Sequence, residues 1–393
     1  MSLPKNILVI SPFFLPELIS TGKFNTDMVI GLREREHHVK VLCFHPFYPK
    51  WKVKKSEEEL DNVEIIRGGK RIFYTQKNII RRFILEISFT IFVLRKVFKH
   101  QKNTDLIIPV FPPSFAFYAV LPFLKKHIKK VGIIHDLQEV YSKNKKGFVY
   151  KLIGKIIHHI EKRGFKACDK LIFLSEEMKN IAKESYQLPT RKLRVQFPFV
   201  TINPNKKTTQ NNLKELLPEN VKHIVYSGAL GEKQNPKELY DVFNYCSEKS
   251  PELQFHFFSQ GSLFEGLKCN NINNNINFHD LVAKENIEEL YQRSFIQFVP
   301  QATGTSKGSL PSKLPNLLAS ECNIICITDA GSDIDLLFKK HQLKEVITSW
   351  DKEIILNSVN EFLQKETSNF SNQNKISNEL FHINSMINSI LEN

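Results

Sequence analysis

The sequence predicts an α/β protein made of two Rossmann-like, doubly wound domains facing a cleft. Three observations predict it. Apolar runs of strand length alternate with helix-period patterns along most of the chain. The alternation restarts after residues 204–212 (PNKKTTQNN), a stretch polar enough to read as a linker. At 393 residues the chain also exceeds what one small core accommodates. The expected division is 1–203, 204–367 and a C-terminal helical segment, 368–393, that is free to cross back to the first domain.

In the first half, residues 6–11 form an apolar strand and 12–22 (PFFLPELISTG) a loop. Residues 24–33 fit a helix with Met28, Val29 and Leu32 on one face and Thr21 as its cap. Residues 39–44 are the second strand, so this is a βαβ unit and the sheet is parallel. An aromatic, proline-rich loop, 45–53 (HPFYPKWKV), follows at that strand's carboxyl end, and 63–67 is a further strand. The helix at 79–99 carries Phe83, Ile87, Ile91, Leu94 and Phe98 between ends framed by Arg81, Arg82, Arg95, Lys96 and Lys99. It reads either as a core helix with solvated ends or as an interfacial helix dipping into anionic lipid. Strands at 105–110, 131–134 and 170–174 then alternate with helices at 115–125, 147–165 and 176–185, the last capped by Ser175. The second half repeats the logic, with strands at 223–226, 253–258, 276–278, 295–300 and 324–328. Its helices are expected at 237–248, 287–292, from 314 and at 354–363.

The net charge of +14 is uneven. Residues 1–200 carry roughly +19 and the remainder roughly −5. A basic half points to an anionic partner: a membrane surface, nucleic acid or a phosphate-bearing substrate. Nucleic acid is excluded as a partner, because the basic residues are dispersed and no recognition motif is present. The six cysteines include no CxxC pair, which argues for buried free thiols and against structural zinc. The longest apolar region, 83–94, is interrupted by Glu86 and falls well short of the roughly 20 residues a spanning helix needs. No signal peptide is recognisable, so the expected location is cytoplasmic and peripheral on the inner face of the membrane.

Chemistry is expected at strand ends. Residues 307–335 read as loop, helix, strand, loop, with Ser312 and Lys313 at the helix start. Residues 227–236 (SGALGEKQNP) follow a strand and precede a helix, with Gly228 and Gly231 allowing close backbone approach and Lys233 supplying charge. The pattern is neither GxGxxG nor a P-loop. Two strand ends, each with a lysine, can clamp a diphosphate. In the other half His135-Asp136, followed by Gln138 and Glu139, either positions or deprotonates a hydroxyl or serves only loop hydrogen bonds. Asp333-Ile334-Asp335 is better read as a helix start capped by Asp333 than as a metal site.

Six stretches, spread in order over the chain, carry a resemblance: 16–28 (PELISTGKFNTDM), 45–53, 111–114 (FPPS), 135–140 (HDLQEV), 226–234 (YSGALGEKQ) and 310–319 (LPSKLPNLLA). By them the chain resembles the WcaI/WbuB group of bacterial glycosyltransferases within glycosyltransferase family 4. The resemblance implies a GT-B fold, with the second domain holding a nucleotide sugar and the first the acceptor. It implies that Gly22 abuts the donor diphosphate and that Gly228, Gly231, Lys233, Ser312, Lys313 and Asn316 bind the donor. It places His135 and Asp136 near the reacting centre, and Glu17, Lys23, Tyr48 and Trp51 on the acceptor side. The implied enzyme is retaining and needs neither metal nor cofactor, the nucleotide sugar (UDP favoured over GDP) being a substrate. The implied reaction moves a sugar such as N-acetylfucosamine to a polyprenyl-diphosphate-linked saccharide in O-antigen, capsule or exopolysaccharide assembly. A sugar-nucleotide epimerase or hydrolase of the same fold, and a non-catalytic basic membrane-binding protein, are the alternatives. Three departures stand out. Gly308 and Asn316 occupy the Glu-x7-Glu positions of many relatives, Ala229 stands where many have Asn or Arg, and His37 stands where the usual turn has Gly.

Overall fold

The computed structural model describes residues 3–17, 19–48, 50–75, 77–137, 148–202, 212–306, 310–320, 322–343, 346–364 and 370–392. The chain divides into two units, residues 1–198 with 383–393, and residues 199–382.

The first unit contains β1 (Asn6–Ile10), α1 (Ser20–Glu34), β2 (His38–Phe44), β3 (Val63–Gly68), α2 (Asn78–His100), β4 (Leu106–Phe111) and α3 (Ser114–Val120). It continues with β5 (Lys129–Ile134), α4 (Phe148–Ala167), β6 (Lys170–Phe173), α5 (Glu176–Tyr186) and β7 (Leu193–Val195). The strands form one parallel sheet in the order β3-β2-β1-β4-β5-β6-β7. Strands covered on both faces need side chains that are apolar throughout, and β4, LIIPVF, is buried at every position. The order reverses between β1 and β4, so a ligand crevice belongs at their carboxyl ends.

The second unit contains β8 (Lys222–Ser227), α6 (Pro236–Lys249), β9 (Leu253–Phe258), α7 (Ser262–Asn270), β10 (Ile276–His279), α8 (Ile287–Arg293), β11 (Ile296–Pro300) and α9 (Leu314–Ala319). Then come β12 (Asn323–Ile327), α10 (Asp333–Lys340), β13 (Val346–Ile347), α11 (Lys352–Gln364) and α12 (Ser371–Leu380). Its parallel sheet has the order β10-β9-β8-β11-β12-β13, reversing between β8 and β11. The terminal helix α13 (Ile383–Leu391) packs on α1. A Cβ on Gly31 would lie 3.2 Å from Ile387 Cγ1, so glycine permits the approach. Arg35 donates to Asn388 Oδ1 (2.6 Å), and Lys170 Nζ donates to the carbonyls of Ser389 and Glu392 (both 2.8 Å), satisfying acceptors at the helix end.

Several local expectations need correcting. The helix expected at 115–125 ends at Val120 and tightens into a 3₁₀ turn over 121–123, because Pro122 cannot continue the hydrogen-bond ladder. Thr21 lies inside α1 rather than capping it. Ser332, not Asp333, caps α10, its Oγ accepting from Asp335 N (3.2 Å). Helix α7 was not expected: only Phe264 of it is buried, so it carries no apolar stripe. Cys269 is exposed, whereas the other five cysteines are buried free thiols. At the turn before β2 the left-handed residue is Glu36 (φ 64°), and His37 is buried with Nδ1 accepting from Lys5 N (3.1 Å). Ser175 caps α5 as expected, accepting from Met178 N (3.1 Å).

Helix α2 has two apolar faces. Leu85, Phe89, Val93 and Val97 are buried against the sheet. Ile80, Phe83, Ile91 and Phe98 are exposed, Phe83 to 65 %. No helix among the described residues is long and apolar enough to cross a membrane.

The second sheet holds three imidazoles in a row. His223 Nδ1 lies 3.0 Å from His256 Nε2, and His256 Nδ1 lies 3.1 Å from His279 Nε2. At the far end His223 Nε2 faces the Pro218 carbonyl at 2.9 Å, and a carbonyl can only accept. That fixes the tautomers: every Nε2 carries the proton and every shared Nδ1 accepts. Burial holds all three below the usual imidazole range, His256 down to about 2. Arg293 near His223 and Lys268 near His279 push the same way, and Asp280 opposes at His279. The unfolded chain takes up protons below pH about 6.5 that the folded row refuses, so stability is lost as pH falls from there. In a Trp51→Phe background Trp350 alone reports on the second unit. Its urea midpoint is expected to fall between pH 7 and pH 5, with a shallower fall in His256→Gln. Equal midpoints at the two pH values would exclude the effect.

Candidate active site

In the second unit the decisive side chain is Lys313, one residue before α9. Its Nζ donates to the carbonyls of Ser227 (3.1 Å), at the end of β8, and Phe298 (2.7 Å), in β11. It lies 4.4 Å from the centre of the Tyr226 ring. These are the two strands on either side of the order reversal, so the ammonium sits across the crevice where open α/β sheets bind ligands. Burial, opposed only weakly by Cys326 and with no ion pair to Lys313 among the described residues, depresses its pKa to about 7.

The loop after β8 begins at Gly228, whose φ of +128° only glycine adopts readily. Gly231 N donates to Gln234 Oε1 (3.0 Å), closing the short turn that contains Lys233. The Lys233 carbonyl accepts from Ala302 N (2.8 Å) and Thr305 Oγ1 (3.3 Å), joining this loop to the one after β11. Ser312 is exposed beside Lys313. Asn316 faces Thr201 instead: its Oδ1 accepts from Thr201 N (2.7 Å) and its Nδ2 donates to Thr201 Oγ1 (3.0 Å). Gly308 lies outside the described residues, as do Gln138 and Glu139.

Asp329 joins the site without any motif to mark it. Its carboxylate accepts from Gly304 N (2.9 Å) and Ser306 Oγ (2.6 Å), holding the loop after β11 at the end of β12. The available signal was an acidic residue directly after a buried strand. Asp335, part of the DxD-like triplet, accepts from Gly331 N (2.7 Å) and Lys339 Nζ (2.8 Å), both local helix-start bonds. Among the described residues no group of three His, Cys, Asp or Glu side chains could hold a metal ion.

In the first unit the site residues cluster at the carboxyl ends of β1, β2 and β5. Glu17 is buried, and its carboxylate accepts from the backbone N–H of Phe47 (2.9 Å) and Tyr48 (3.0 Å). It thereby ties the loop after β1 to the aromatic loop after β2. Gly22 packs on it: a Cβ there would come within 2.9 Å of Glu17 Cβ. Lys23 is half-buried in the next position of α1. Trp51 packs against Phe47 and Tyr74, with the Arg81 guanidinium 4.4 Å from its ring centre. Two further anchors were not foreseen. Asn25 Nδ2 donates to Ser11 Oγ and the Phe13 carbonyl (both 2.9 Å), and Arg67 donates to the Leu15 carbonyl (2.7 Å).

His135 continues β5, its N–H donating to the Phe111 carbonyl (2.9 Å) and its ring meeting Phe24 edge-on at 4.6 Å. Burial pushes its pKa down to about 3, so the imidazole is neutral at physiological pH, with Nε2 covered and unpartnered among the described residues. A neutral imidazole there can hold a hydroxyl by a hydrogen bond but is a weak base. Asp136 is half-buried, with Oδ1 accepting from Leu137 N (3.0 Å).

Residues 21–203 match the sequence profile of Glycosyltransferase Family 4. Over 351 residues, 84 % of this chain and 85 % of the relative, the sequence is 23 % identical to the putative colanic acid biosynthesis glycosyl transferase WcaI of Escherichia coli K12. The fold matches WaaG, a glycosyltransferase of lipopolysaccharide biosynthesis, with a TM-score of 0.71 at 13 % identity, covering 98 % of this chain and 100 % of WaaG. It also matches Anabaena HepE in complex with UDP, with a TM-score of 0.65 at 14 % identity and 98 % coverage of both chains. Sucrose-phosphate synthase of Thermosynechococcus elongatus gives a TM-score of 0.73 at 13 % identity, covering 98 % of this chain and 96 % of that one. The protein is a glycosyltransferase of GT-B fold, similar to family 4 over residues 21–203.

In this glycosyltransferase Lys313 links stability to pH. Its folded pKa lies near 7 and its unfolded one near the ordinary lysine value of about 10.4. Between these the unfolded chain binds the proton and the folded chain does not, so the contribution to stability rises with pH. Lys313→Met is expected to remove this rise between pH 7 and pH 10, measured as the difference in unfolding midpoint from wild type. A difference that stays constant across the window would show that Lys313 keeps its proton in the folded state.

Proposed function

We propose that this glycosyltransferase moves a sugar from a UDP-linked donor to a polyprenyl-diphosphate-linked saccharide during surface-polysaccharide assembly, with N-acetylfucosamine as a candidate sugar. The observation that carries the donor half is the Lys313 ammonium across the β8–β11 crevice. A half-buried cation held by two carbonyls is poorly satisfied, and a diphosphate oxygen is a ligand that would complete it. Lys233, two loops joined through its carbonyl, and the backbone around Gly228 complete the donor side. Support also comes from the HepE structures, which hold UDP, and from the names of WcaI and WaaG.

The chemistry is departure of the nucleoside diphosphate and attack by an acceptor hydroxyl. Lys233, Lys313 and backbone N–H groups stabilise the charge growing on the leaving group, which is usually the largest catalytic contribution. These cations do what a metal would otherwise do, so the reading is of a metal-independent, retaining enzyme. Asp136, with neutral His135 beside it, positions the attacking hydroxyl on the acceptor side.

Asp136→Ala is the discriminating variant. It should bind UDP as wild type does while its single-turnover transfer falls at least 100-fold, consistent with loss of a positioned general base. EDTA should leave wild-type transfer intact. A fully active variant would return Asp136 to a structural role. Sugar release without acceptor would favour the hydrolase reading.

The acceptor half carries a membrane proposal. The exposed stripe of α2 (Ile80, Phe83, Ile91, Phe98) lies on a helix with Arg82, Arg95, Lys96 and Lys99 at its exposed ends. Such a helix lies in the headgroup plane, where each basic residue contributes about 1 kcal/mol on an anionic surface. Wild type is expected to float with anionic vesicles at low salt, less so at 0.5 M salt, and Glu at positions 82, 95, 96 and 99 together should release it with UDP binding unchanged. A wild type that ignores anionic vesicles at low salt would refute membrane docking.

A further inference from the structure

One cluster in the first unit is not accounted for by the donor, by Asp136 or by the apolar stripe. The Arg81 guanidinium lies over the Trp51 ring (4.4 Å), and among the described residues it donates to no carboxylate. Its Nε is covered and has no acceptor among the described residues. Burial and the neighbouring Arg82 both act against its charge, and only the Tyr48 side chain acts in favour. Tyr74, edge-on to the same Trp51 ring at 5.2 Å, has a hydroxyl that is also covered and has no hydrogen-bond partner among the described residues. Burial and Glu17 hold that phenol protonated, so it is a donor. Trp51 itself holds a left-handed backbone conformation (φ 53°), costly for a bulky aromatic residue. Covered donors without acceptors, a cation without a counter-charge and a strained aromatic wall are what an unfilled anion site looks like.

Position narrows the ligand. Trp51 follows β2, Tyr74 follows β3, and Arg81 is in the first turn of α2, so the cluster is at the carboxyl, ligand-binding end of the first sheet. From there the outer stripe of α2 runs away from the site, Phe83 first and Phe98 last. We infer that Arg81 and Tyr74, backed by Trp51, hold the phosphate of an acceptor whose phosphate ester sits on a long apolar chain, the chain following the α2 stripe. The shared chemistry is a phosphate on a lipid; the geometry favours the isoprenoid diphosphate of the acceptor over a bystander phospholipid headgroup, because the cluster is at the reacting end of the sheet. This inference rests on the lipid-linked acceptor reading above.

The test measures binding of farnesyl diphosphate, inorganic diphosphate, phosphatidylglycerol vesicles and UDP to wild type, Arg81→Met and Arg81→Lys. Arg81→Met keeps an unbranched stem to cover Trp51, and Arg81→Lys keeps charge without the two-pronged donor. Wild type is expected to bind farnesyl diphosphate more tightly than inorganic diphosphate. Arg81→Met should lose at least tenfold for farnesyl diphosphate, Arg81→Lys a smaller amount, and neither should change UDP binding. Wild-type affinity for farnesyl diphosphate in both variants overturns the inference, as does the absence of binding by wild type. So does a defect confined to the vesicles, which would make Arg81 a headgroup contact. If UDP fails to bind wild type while farnesyl diphosphate binds through Arg81, the donor reading fails and this site stands.

Discussion

The structure of the second unit turns on one ammonium. Lys313 reaches two carbonyls on the strands that flank the order reversal, β8 and β11. Parallel strands point their last carbonyls at the same edge, and where the connections diverge nothing covers that edge. A lysine in this place caps acceptors that would otherwise be left open, and it puts a cation where a ligand's negative charge arrives. The loops around it are joined to each other rather than to the sheet alone, through the Lys233 carbonyl on one side and the Asp329 carboxylate on the other. The depressed pKa of Lys313 follows from the same geometry, because carbonyls alone do not repay the burial of a charge.

The first unit solves the equivalent problem with buried polar side chains. Glu17 holds two backbone N–H groups of the aromatic loop, Asn25 holds the turn after β1, and Arg67 holds the Leu15 carbonyl. Loops at a ligand edge must be irregular yet ordered, and irregular backbone has hydrogen-bonding groups that no ladder satisfies. Each of these side chains replaces part of a ladder. Glu17 is therefore a residue that positions Tyr48 and Trp51, with its carboxylate occupied by backbone. Asn316 is similarly engaged, its side-chain amide both accepting from and donating to Thr201.

Helix α2 shows how one sequence pattern serves two environments. Its inner residues close the core over the sheet, and its outer residues are equally apolar and face outwards. A monomer gains nothing from exposed Phe83 and Phe98, so the outer stripe is informative in a way that the inner one is not. The inner face is that of a core helix, and the exposed outer face is the observation on which the proposed membrane docking rests.

The sequence by itself determined the α/β class, the two repeats of strand and helix, and most strand positions, because strands buried on both faces are continuous apolar runs too short for helices and bounded by turn residues. It also pointed to the strand ends around 135, 228–233 and 312–313, since glycine, lysine and histidine after an apolar run have few other reasons to be there. It could not show α7, whose single buried residue makes no pattern, nor the break of the 115–125 helix at Pro122. What each polar side chain does was decided only by tertiary structure. Lys313, Asn316, Asp329 and Glu17 meet partners 15 to 115 residues away, as with Phe298 for Lys313 and Thr201 for Asn316. Periodicity reports on which side of an element faces the core; it says nothing of which distant carbonyl or N–H will be left needing a partner.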